Sequence, residues 1–223
     1  CAYLRFNVPA GEKLTVRTAS SFISPAQALV NLSREVGGKS LAQVREEARK
    51  QWNSYLGRIE AEGGSEEQLR TFSCLYRTLL FPREFYEFDA QGKPVYYSPY
   101  NGKIQDGYMY TDNGFWDTFR AVHPLFTLLY PEVSERVTQS ILNAYDESGF
   151  MPEWASPGHR ECMIGNNSIS LLTDAWMKGI RTICSEKALE AMIHQTEARH
   201  PGISSVGRDG FGYYDRLGYV PYP

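Results

Sequence analysis

The chain has 223 residues, enough for one or two domains, and its 42% hydrophobic and 22% charged residues are ordinary for a folded protein. This composition argues against intrinsic disorder, which requires low hydrophobicity and high net charge. A formal net charge of −3 provides no basic surface for phosphate contacts, so nucleic acid is not an expected partner, and no apolar run is long enough to span a membrane.

Residues 1–22 have a β-like pattern. Apolar and polar residues alternate over 2–8 and again over 13–18, and Pro9 to Gly11 supplies a turn between them. The pattern predicts two strands that are the remnant of a larger sheet, because a lone hairpin is only marginally stable in water.

Helix signals begin at Ser24-Pro25, an N-cap residue followed by proline at the first helical position, and predict a helix to Val36. Ser40 is predicted to cap a long second helix that runs through Glu62. Apolar residues spaced three or four apart indicate one packed face on this helix.

A capping box of Ser65 and Gln68 predicts a third helix, which ends near Pro82. Residues 83–112 break the helical pattern and indicate a β excursion followed by a loop rich in Tyr and Gly. A long irregular segment inside a helical domain is often functional.

The rest of the chain is predicted to be helical, with a polar loop at 150–165. Short turns between successive helices favour antiparallel helical hairpins, as in α/α toroids or solenoids, and no repeat of fixed length is present. The predicted helices cover 116–130, 131–149, 166–182, 186–199 and 205–217.

The first candidate site lies in Asn113–Arg120, where Trp116 and Asp117 begin a helix after a glycine-containing loop. A carboxylate is stabilised at a helix N-terminus, and tryptophan beside Asp and Arg120 offers a stacking face with hydrogen bonds for vicinal hydroxyls. The alternative is that Asp117 only caps the helix and Trp116 fills the core.

The second candidate site is the loop that carries Glu153, Trp154, His159, Arg160 and Glu161. Mixed charge beside an aromatic ring is typical of ligand contacts, although a salt-bridged surface turn fits equally well. His159 and Glu161 are only two ligands, so a metal site is not expected there.

A third group, Asp174 with Lys178 four residues later, is interpreted as a stabilising helical pair, with Trp176 in the core. His123 and His194 lie within helical patterns and are expected to be packed or solvated rather than catalytic.

At these residues the sequence resembles glycoside hydrolase family 92, the calcium-dependent exo-acting α-mannosidases. The resemblance is ordered along nearly the whole chain, and its most specific part is Phe115–Ala121 with His123–Leu125. The other matching segments are Ser21–Ser24, Trp52-Asn53, Leu75–Arg83, Met151–Trp154, Met163–Gly165, Asp174-Ala175, Lys178–Ile180 and Leu217–Pro221.

The resemblance implies a mainly α chain: a partial (α/α)6 barrel preceded by a short β remnant of an N-terminal β-sandwich. Residues 1–22 would end the sandwich, 23–64 would form linker helices, and 65–223 would form the first half of the catalytic barrel. The implied reaction is calcium-assisted hydrolysis of terminal α-mannosides with inversion, on N-glycans or mannans. Family members often act outside the cytoplasm, so a periplasmic, secreted or cell-surface location is expected.

The resemblance also implies roles for particular residues. Trp116 and Asp117 match a Trp-Asp pair that contacts mannose on the non-reducing side of the scissile bond. The neighbouring matches imply pocket lining by Arg120, Glu153 and Trp154. His159 and Glu161 lie in a stretch that varies across the family, and the hypothesis for them is a role in leaving-group specificity.

The family's general acid and general base lie in Glu-Gly-Asn-Ala-Trp-Gln-like and Gly-Asn-Asp-Asp-like motifs, and neither motif occurs in the 223 residues. Both are expected after Pro223, with most calcium ligands, so no catalytic or metal residue is assigned here. The chain alone is expected to be inactive, with an exposed apolar seam where the rest of the polypeptide packs.

Two other readings stay open. The first is a non-catalytic sugar-binding or helical scaffold module, and the second is an α/α-toroid glycosidase with another sugar specificity.

Overall fold

The N-terminal segment forms no strand over residues 3–22. The computed structural model describes residues 3–222, and within 3–22 it contains the predicted turn, where the Glu12 N–H donates to the Pro9 carbonyl oxygen, but no strand. The prediction of two strands is therefore wrong over residues 3–22. Residues 1 and 2, which the prediction also covered, lie outside the described range. Tyr3 and Leu4 are more than four-fifths exposed. Alternation without a surface to pack on does not suffice to form a sheet.

The first two helices begin where the capping residues place them. Helix α1 spans Pro25–Asn31 and continues as a π-helical segment, Leu32–Val36; the Ser24 hydroxyl accepts a hydrogen bond from the Gln27 N–H. Helix α2 spans Leu41–Leu56, with the predicted cap at Ser40 completed by Gln43. It ends at Gly57, earlier than predicted.

Helix α3 spans Ser65–Thr78, but its cap differs from the prediction. Gly64 is the N-cap residue, and the Glu67 carboxylate accepts a hydrogen bond from its N–H. Gln68 instead donates to the Ala61 carbonyl oxygen. The predicted capping box is therefore displaced by one residue.

The predicted β excursion is confirmed as short antiparallel strands. The strands are β1 Arg83–Glu84, β2 Glu87–Phe88, β3 Pro94–Tyr97, β4 Ile104–Asp106, β5 Tyr110–Thr111 and, beyond the excursion, β6 Asn113–Gly114 and β7 Trp154–Ala155. A two-stranded ladder joins β1 to β5, and β3 is the centre of a three-stranded sheet with β2 and β4.

The remaining elements are helices, as predicted. The helix predicted over 116–130 is interrupted at 119–121, and the last helix is shorter than the predicted 205–217. The helices are α4 Phe115–Thr118, α5 Val122–Leu129, α6 Pro131–Ser148, α7 Asn167–Met177, α8 Ser185–Glu197 and α9 Phe211–Leu217.

The main core lies among α6, α7 and α8, which pack on one another with α5 alongside. Its buried centre includes Leu142, Leu172 and Ala191. A second cluster around Phe126 and Tyr130 receives the C-terminal end of α2. The mainly α class is confirmed, whereas barrel closure and the domain boundaries stay predictions.

Several helices keep large apolar side chains in solvent. Leu128 of α5 is 77% exposed and Met177 at the end of α7 is 75% exposed, and Leu41, Leu69 and Leu189 are also exposed. The predicted apolar seam, where the rest of the polypeptide would pack, stays a prediction. None of the helices between residues 3 and 222 has the length and apolar character needed to cross a bilayer.

Candidate functional site

A two-residue ladder joins the two candidate motifs, which are distant in sequence. Strands β6 and β7 pair antiparallel, with Asn113 opposite Ala155 and Gly114 opposite Trp154. The pairing is extended by the Phe115 N–H, which donates to the Glu153 carbonyl oxygen at 3.2 Å. Because α4 begins at Phe115, the start of the Trp-Asp motif is tied directly to the second loop.

Gly114 is the point at which Trp154 and Asp117 meet. A Cβ atom built on Gly114 would lie 2.3 Å from Cε3 and Cζ3 of Trp154 and 2.9 Å from Oδ2 of Asp117. The Trp154 ring therefore lies directly against the glycine, with the Asp117 carboxylate beside it. The structure thus brings together an aromatic ring and a carboxylate from the two predicted groups.

The Asp117 carboxylate is available to a ligand. The side chain is exposed, and among residues 3–222 it forms neither a hydrogen bond nor an ion pair. Its predicted alternative role as a helix cap is wrong, because Gly114 is the N-cap residue of α4 and has no side-chain cap hydrogen bond.

Trp116 is 43% exposed, so the alternative of a core tryptophan is wrong as well. The guanidinium of Arg120 lies 4.7 Å from the centre of the Trp116 ring and 4.3 Å from that of Phe119. Arg120 also donates to the Trp116 carbonyl oxygen. The cation is thus stacked within its own turn and holds the Trp116 ring in place.

Hydrogen bonds among Asn113, Thr118 and His123 stabilise the turn at the start of α4. The Asn113 amide nitrogen lies 3.0 Å from Nε2 of His123, and the Asn113 amide oxygen accepts a hydrogen bond from the Thr118 hydroxyl. His123 is 3% exposed, and burial lowers its pKa to about 3. The imidazole is therefore neutral at physiological pH, and its predicted packing role is confirmed.

Asp112 links the same two motifs, and the sequence pattern gave no indication of it. Its carboxylate accepts a 2.7 Å hydrogen bond from the Ser156 hydroxyl and lies 3.5 Å from the guanidinium of Arg83. Asp112 has φ of 55°, a left-handed conformation that aspartate tolerates better than most residues. The chain bends there, between β5 and β6.

Glu153 is inside the protein rather than on a pocket wall. Its side chain is 1% exposed, and it accepts hydrogen bonds from the Asn167 N–H, the Ser168 hydroxyl and the Gln195 amide. The predicted direct contact to the sugar therefore does not fit this arrangement, because protein groups surround both carboxyl oxygens. Burial raises the pKa of Glu153 to about 8, although the three donors act in the opposite direction.

This burial predicts how stability depends on pH. The folded pKa of Glu153 lies above its ordinary value of 4.5, so its stabilisation is complete below pH 4.5 and is lost as pH rises towards about 8. Burial lowers the pKa of His123 and of His159, so their stabilisation is complete above 6.5 and is lost as pH falls. Between pH 6.5 and 8 the slope therefore belongs mainly to Glu153.

We expect the melting temperature of the chain to fall between pH 6.5 and 8, and the Glu153→Gln variant to show a flatter profile. Glu66→Gln is the matched control, because that side chain is 88% exposed, and it should keep the wild-type slope. Parallel profiles for wild type and Glu153→Gln would mean that Glu153 ionises normally in the folded chain.

His159 and Glu161 belong to a different group of contacts. The His159 ring stacks edge-on against Tyr100 and His200, and its Nε2 lies 2.9 Å from the Ser148 hydroxyl. Glu161 is exposed and accepts a 2.7 Å hydrogen bond from the Ser204 hydroxyl, which lowers the pKa of the carboxyl. It lines an open cavity of about 360 Å³ formed mainly by residues 199–204. Their predicted role in leaving-group specificity stays a prediction.

Within residues 3–222 no three His, Cys, Asp or Glu side chains cluster closely enough to hold a metal ion. A cavity of about 310 Å³ beside α2 is lined by Trp52, Tyr55 and Glu84, among others, and includes none of the predicted site residues. The predicted Asp174–Lys178 pair is confirmed at 2.7 Å.

The arrangement at Gly114 is suited to holding a polyhydroxylated ring. A flat aromatic face can cover the C–H side of such a ring, while an uncommitted carboxylate can accept hydrogen bonds from two hydroxyls. Proton transfer to a leaving group would need a further acid and base.

Comparisons with known proteins agree on one family. The sequence profile of the glycosyl hydrolase family 92 catalytic domain matches residues 27–223. The chain is similar to a structure of a family GH92 inverting mannosidase from Bacteroides thetaiotaomicron, with 79% identity and a TM-score of 0.93, covering 98% of this chain and 30% of that one. A GH92 α-mannosidase of the same organism, solved with mannoimidazole, is 27% identical with a TM-score of 0.75, covering 91% and 26%.

A curated relative from the fungus Arthroderma benhamiae, described as an uncharacterized secreted glycosidase, is 25% identical over 98% of this chain and 25% of its own length. The chain thus spans between a quarter and a third of the length of these relatives.

Proposed function

Because this chain belongs to glycoside hydrolase family 92, we propose that it is part of an exo-acting α-mannosidase that hydrolyses terminal α-linked mannose from N-glycans or mannans. The solved relatives with 79% and 27% identity, whose descriptions name mannosidases, support this substrate class. Inversion of configuration is proposed from the description of the first of them.

The meeting of Trp154 and Asp117 at Gly114 is the observation that carries the proposal. In it, the Asp117 carboxylate accepts hydrogen bonds from two mannose hydroxyls, and the adjacent aromatic side chains cover the ring. Arg120 contributes by holding the Trp116 ring. This chain would then supply the substrate-holding part of the site.

The proton-transferring part is proposed to lie in other segments of the polypeptide. An inverting enzyme needs one carboxylic acid for the leaving oxygen and one carboxylate to activate water on the opposite face. The calcium ion implied by the family resemblance belongs to this proposal too. Residues 3–222 hold no cluster of three His, Cys, Asp or Glu side chains, and we propose that most ligands of the calcium ion lie in other segments.

We further propose that the protein acts outside the cytoplasm, in the periplasm, at the cell surface or as a secreted enzyme. The description of the fungal relative as secreted supports this location.

The proposed activity is tested by incubating the complete polypeptide with 4-nitrophenyl α-mannoside and calcium and measuring release of 4-nitrophenol. We expect release by the complete polypeptide and none by the 223-residue chain alone. Parallel assays with aryl α-glucoside and α-galactoside test the sugar. Preference for either would replace the mannosidase by a toroid glycosidase of other specificity, and mannose binding without any hydrolysis would leave a sugar-binding module.

A further inference from the structure

The side chain of Gln195 in α8 is completely buried, and its amide forms hydrogen bonds to one short segment, Met151–Glu153. Its side-chain nitrogen donates to the Met151 carbonyl oxygen at 3.0 Å and to Oε1 of Glu153 at 3.1 Å. Its side-chain oxygen accepts from the Met151 N–H at 3.1 Å. Both backbone groups of Met151 are therefore paired with one side chain, much as they would be with a neighbouring strand.

Glu153 is in turn hydrogen-bonded to the starts of two helices, α7 and α4. Its Oε2 accepts a 2.9 Å hydrogen bond from the Asn167 N–H at the start of α7, and Ser168 approaches Oε1 at 3.4 Å. Its backbone carbonyl oxygen accepts from the Phe115 N–H at the start of α4. A continuous chain of hydrogen bonds thus runs from the helical core to the turn that carries Asp117.

We propose that Glu153 and Gln195 are positioning residues that set where Trp154 meets Asp117 and thereby determine how tightly the site holds the sugar, without touching it. This proposal rests on the proposed function, because it assigns Trp154 and Asp117 to the sugar.

The hydrogen bonds of Glu153 and Gln195 fix the position of Trp154 because they are specific for particular partners. Side chains alternate between two faces along an extended segment, so a slip of one residue would turn Trp154 away from Gly114. An apolar pair could fill the same volume without selecting a register, whereas the Gln195 amide matches only the N–H and the C=O of Met151. Buried polar networks with every group satisfied are known to favour one arrangement in this way.

Gln195→Leu in the complete polypeptide tests the proposal. The substitution removes all three hydrogen bonds of the amide at similar volume, and we expect kcat/KM for 4-nitrophenyl α-mannoside to fall by roughly ten- to a hundredfold, since small misplacements are costly in catalysis. Leu172→Ala is the matched control, because Leu172 is completely buried in α7 and contacts none of these groups through a hydrogen bond. Rates are compared at a temperature where both variants are fully folded.

Hydrogen–deuterium exchange provides a readout that does not depend on activity. We expect the amides of 113–118 and 151–155 to exchange faster in Gln195→Leu than in wild type, and to remain slow in Leu172→Ala. Should Gln195→Leu not fold, the nearly isosteric Glu153→Gln takes its place, because its amide NH2 would face either the Gln195 nitrogen or the Asn167 N–H, and both of these are donors.

The outcomes separate the two proposals. If wild type hydrolyses no mannoside but exchange changes as expected, the proposed function and the link to sugar binding fail, and only the positioning of Trp154 against Asp117 stands. If kcat/KM falls equally in Gln195→Leu and Leu172→Ala, or if Gln195→Leu leaves kcat/KM and exchange unchanged, the positioning role is overturned.

Discussion

Replacing Asp117 by alanine in the complete polypeptide is expected to lower kcat/KM for an aryl α-mannoside on the order of 10²- to 10³-fold. Losses of this size are typical when an enzyme loses one preorganised polar contact to a reacting substrate. The carboxylate is exposed, lies beside Trp154, and forms no hydrogen bond or ion pair within the described part of the chain. A ligand is therefore its main candidate partner. The measurement is the initial rate of 4-nitrophenol release at substrate concentrations spanning KM.

Stability should change little in the same variant, because substitutions at exposed positions without partners usually stay within about 0.5 kcal/mol. Asp174→Ala is the control, since it removes an aspartate that lies in another helix and is paired with Lys178. It should retain wild-type kcat/KM. An active Asp117→Ala enzyme would contradict the assignment of Asp117 to the sugar.

Replacing Gly114 by alanine is expected to damage both stability and activity. The backbone at Gly114 has φ of −95°, which alanine can adopt, so the effect comes from space alone. The new methyl group would lie 2.3 Å from two atoms of the Trp154 ring, and such overpacking typically costs about 1–3 kcal/mol. Displacement of the ring should reduce kcat/KM by roughly a hundredfold.

Thermal unfolding and steady-state kinetics measure the two effects separately. Gly212→Ala is the matched control, because a Cβ there meets no atom within 4 Å and the residue lies within α9. That substitution should leave activity intact and stabilise the helix slightly. Normal stability and activity in Gly114→Ala would show that Trp154 moves freely and is not held against the glycine.

Local signals in the sequence predicted much of the helical structure. Ser24, Ser40 and Gly149 mark helix ends in the structure as in the sequence, because capping depends on side chains within a few residues of each other. Where two neighbouring residues could cap, as at Gly64 and Ser65, the local pattern did not distinguish them. The prediction of strands within 1–22 was wrong for a related reason. Alternation specifies which face of a strand is apolar, but it does not specify which strand will pair with it.

The composition of the candidate site was only partly predictable. Trp116, Asp117 and Trp154 stand in recognisable motifs, and the structure places Asp117 next to Trp154. Glu153 resembles a pocket residue in sequence, but its burial depends on Gln195, which lies in a helix with no motif of its own. Contacts between residues that are 42 positions apart leave no periodic trace in a single sequence.

The two-residue ladder between β6 and β7 also constrains the order of folding. Each of its strands is too short to be stable alone, and closing the chain between them costs entropy that two residue pairs cannot offset. Helices α5 and α6 fill the intervening sequence, and their docking would shorten the effective loop before the ladder closes. We therefore expect the groups of the candidate site to assemble late, after the helical core, and a core defect in α6 to slow the maturation of the site even where no site residue has changed.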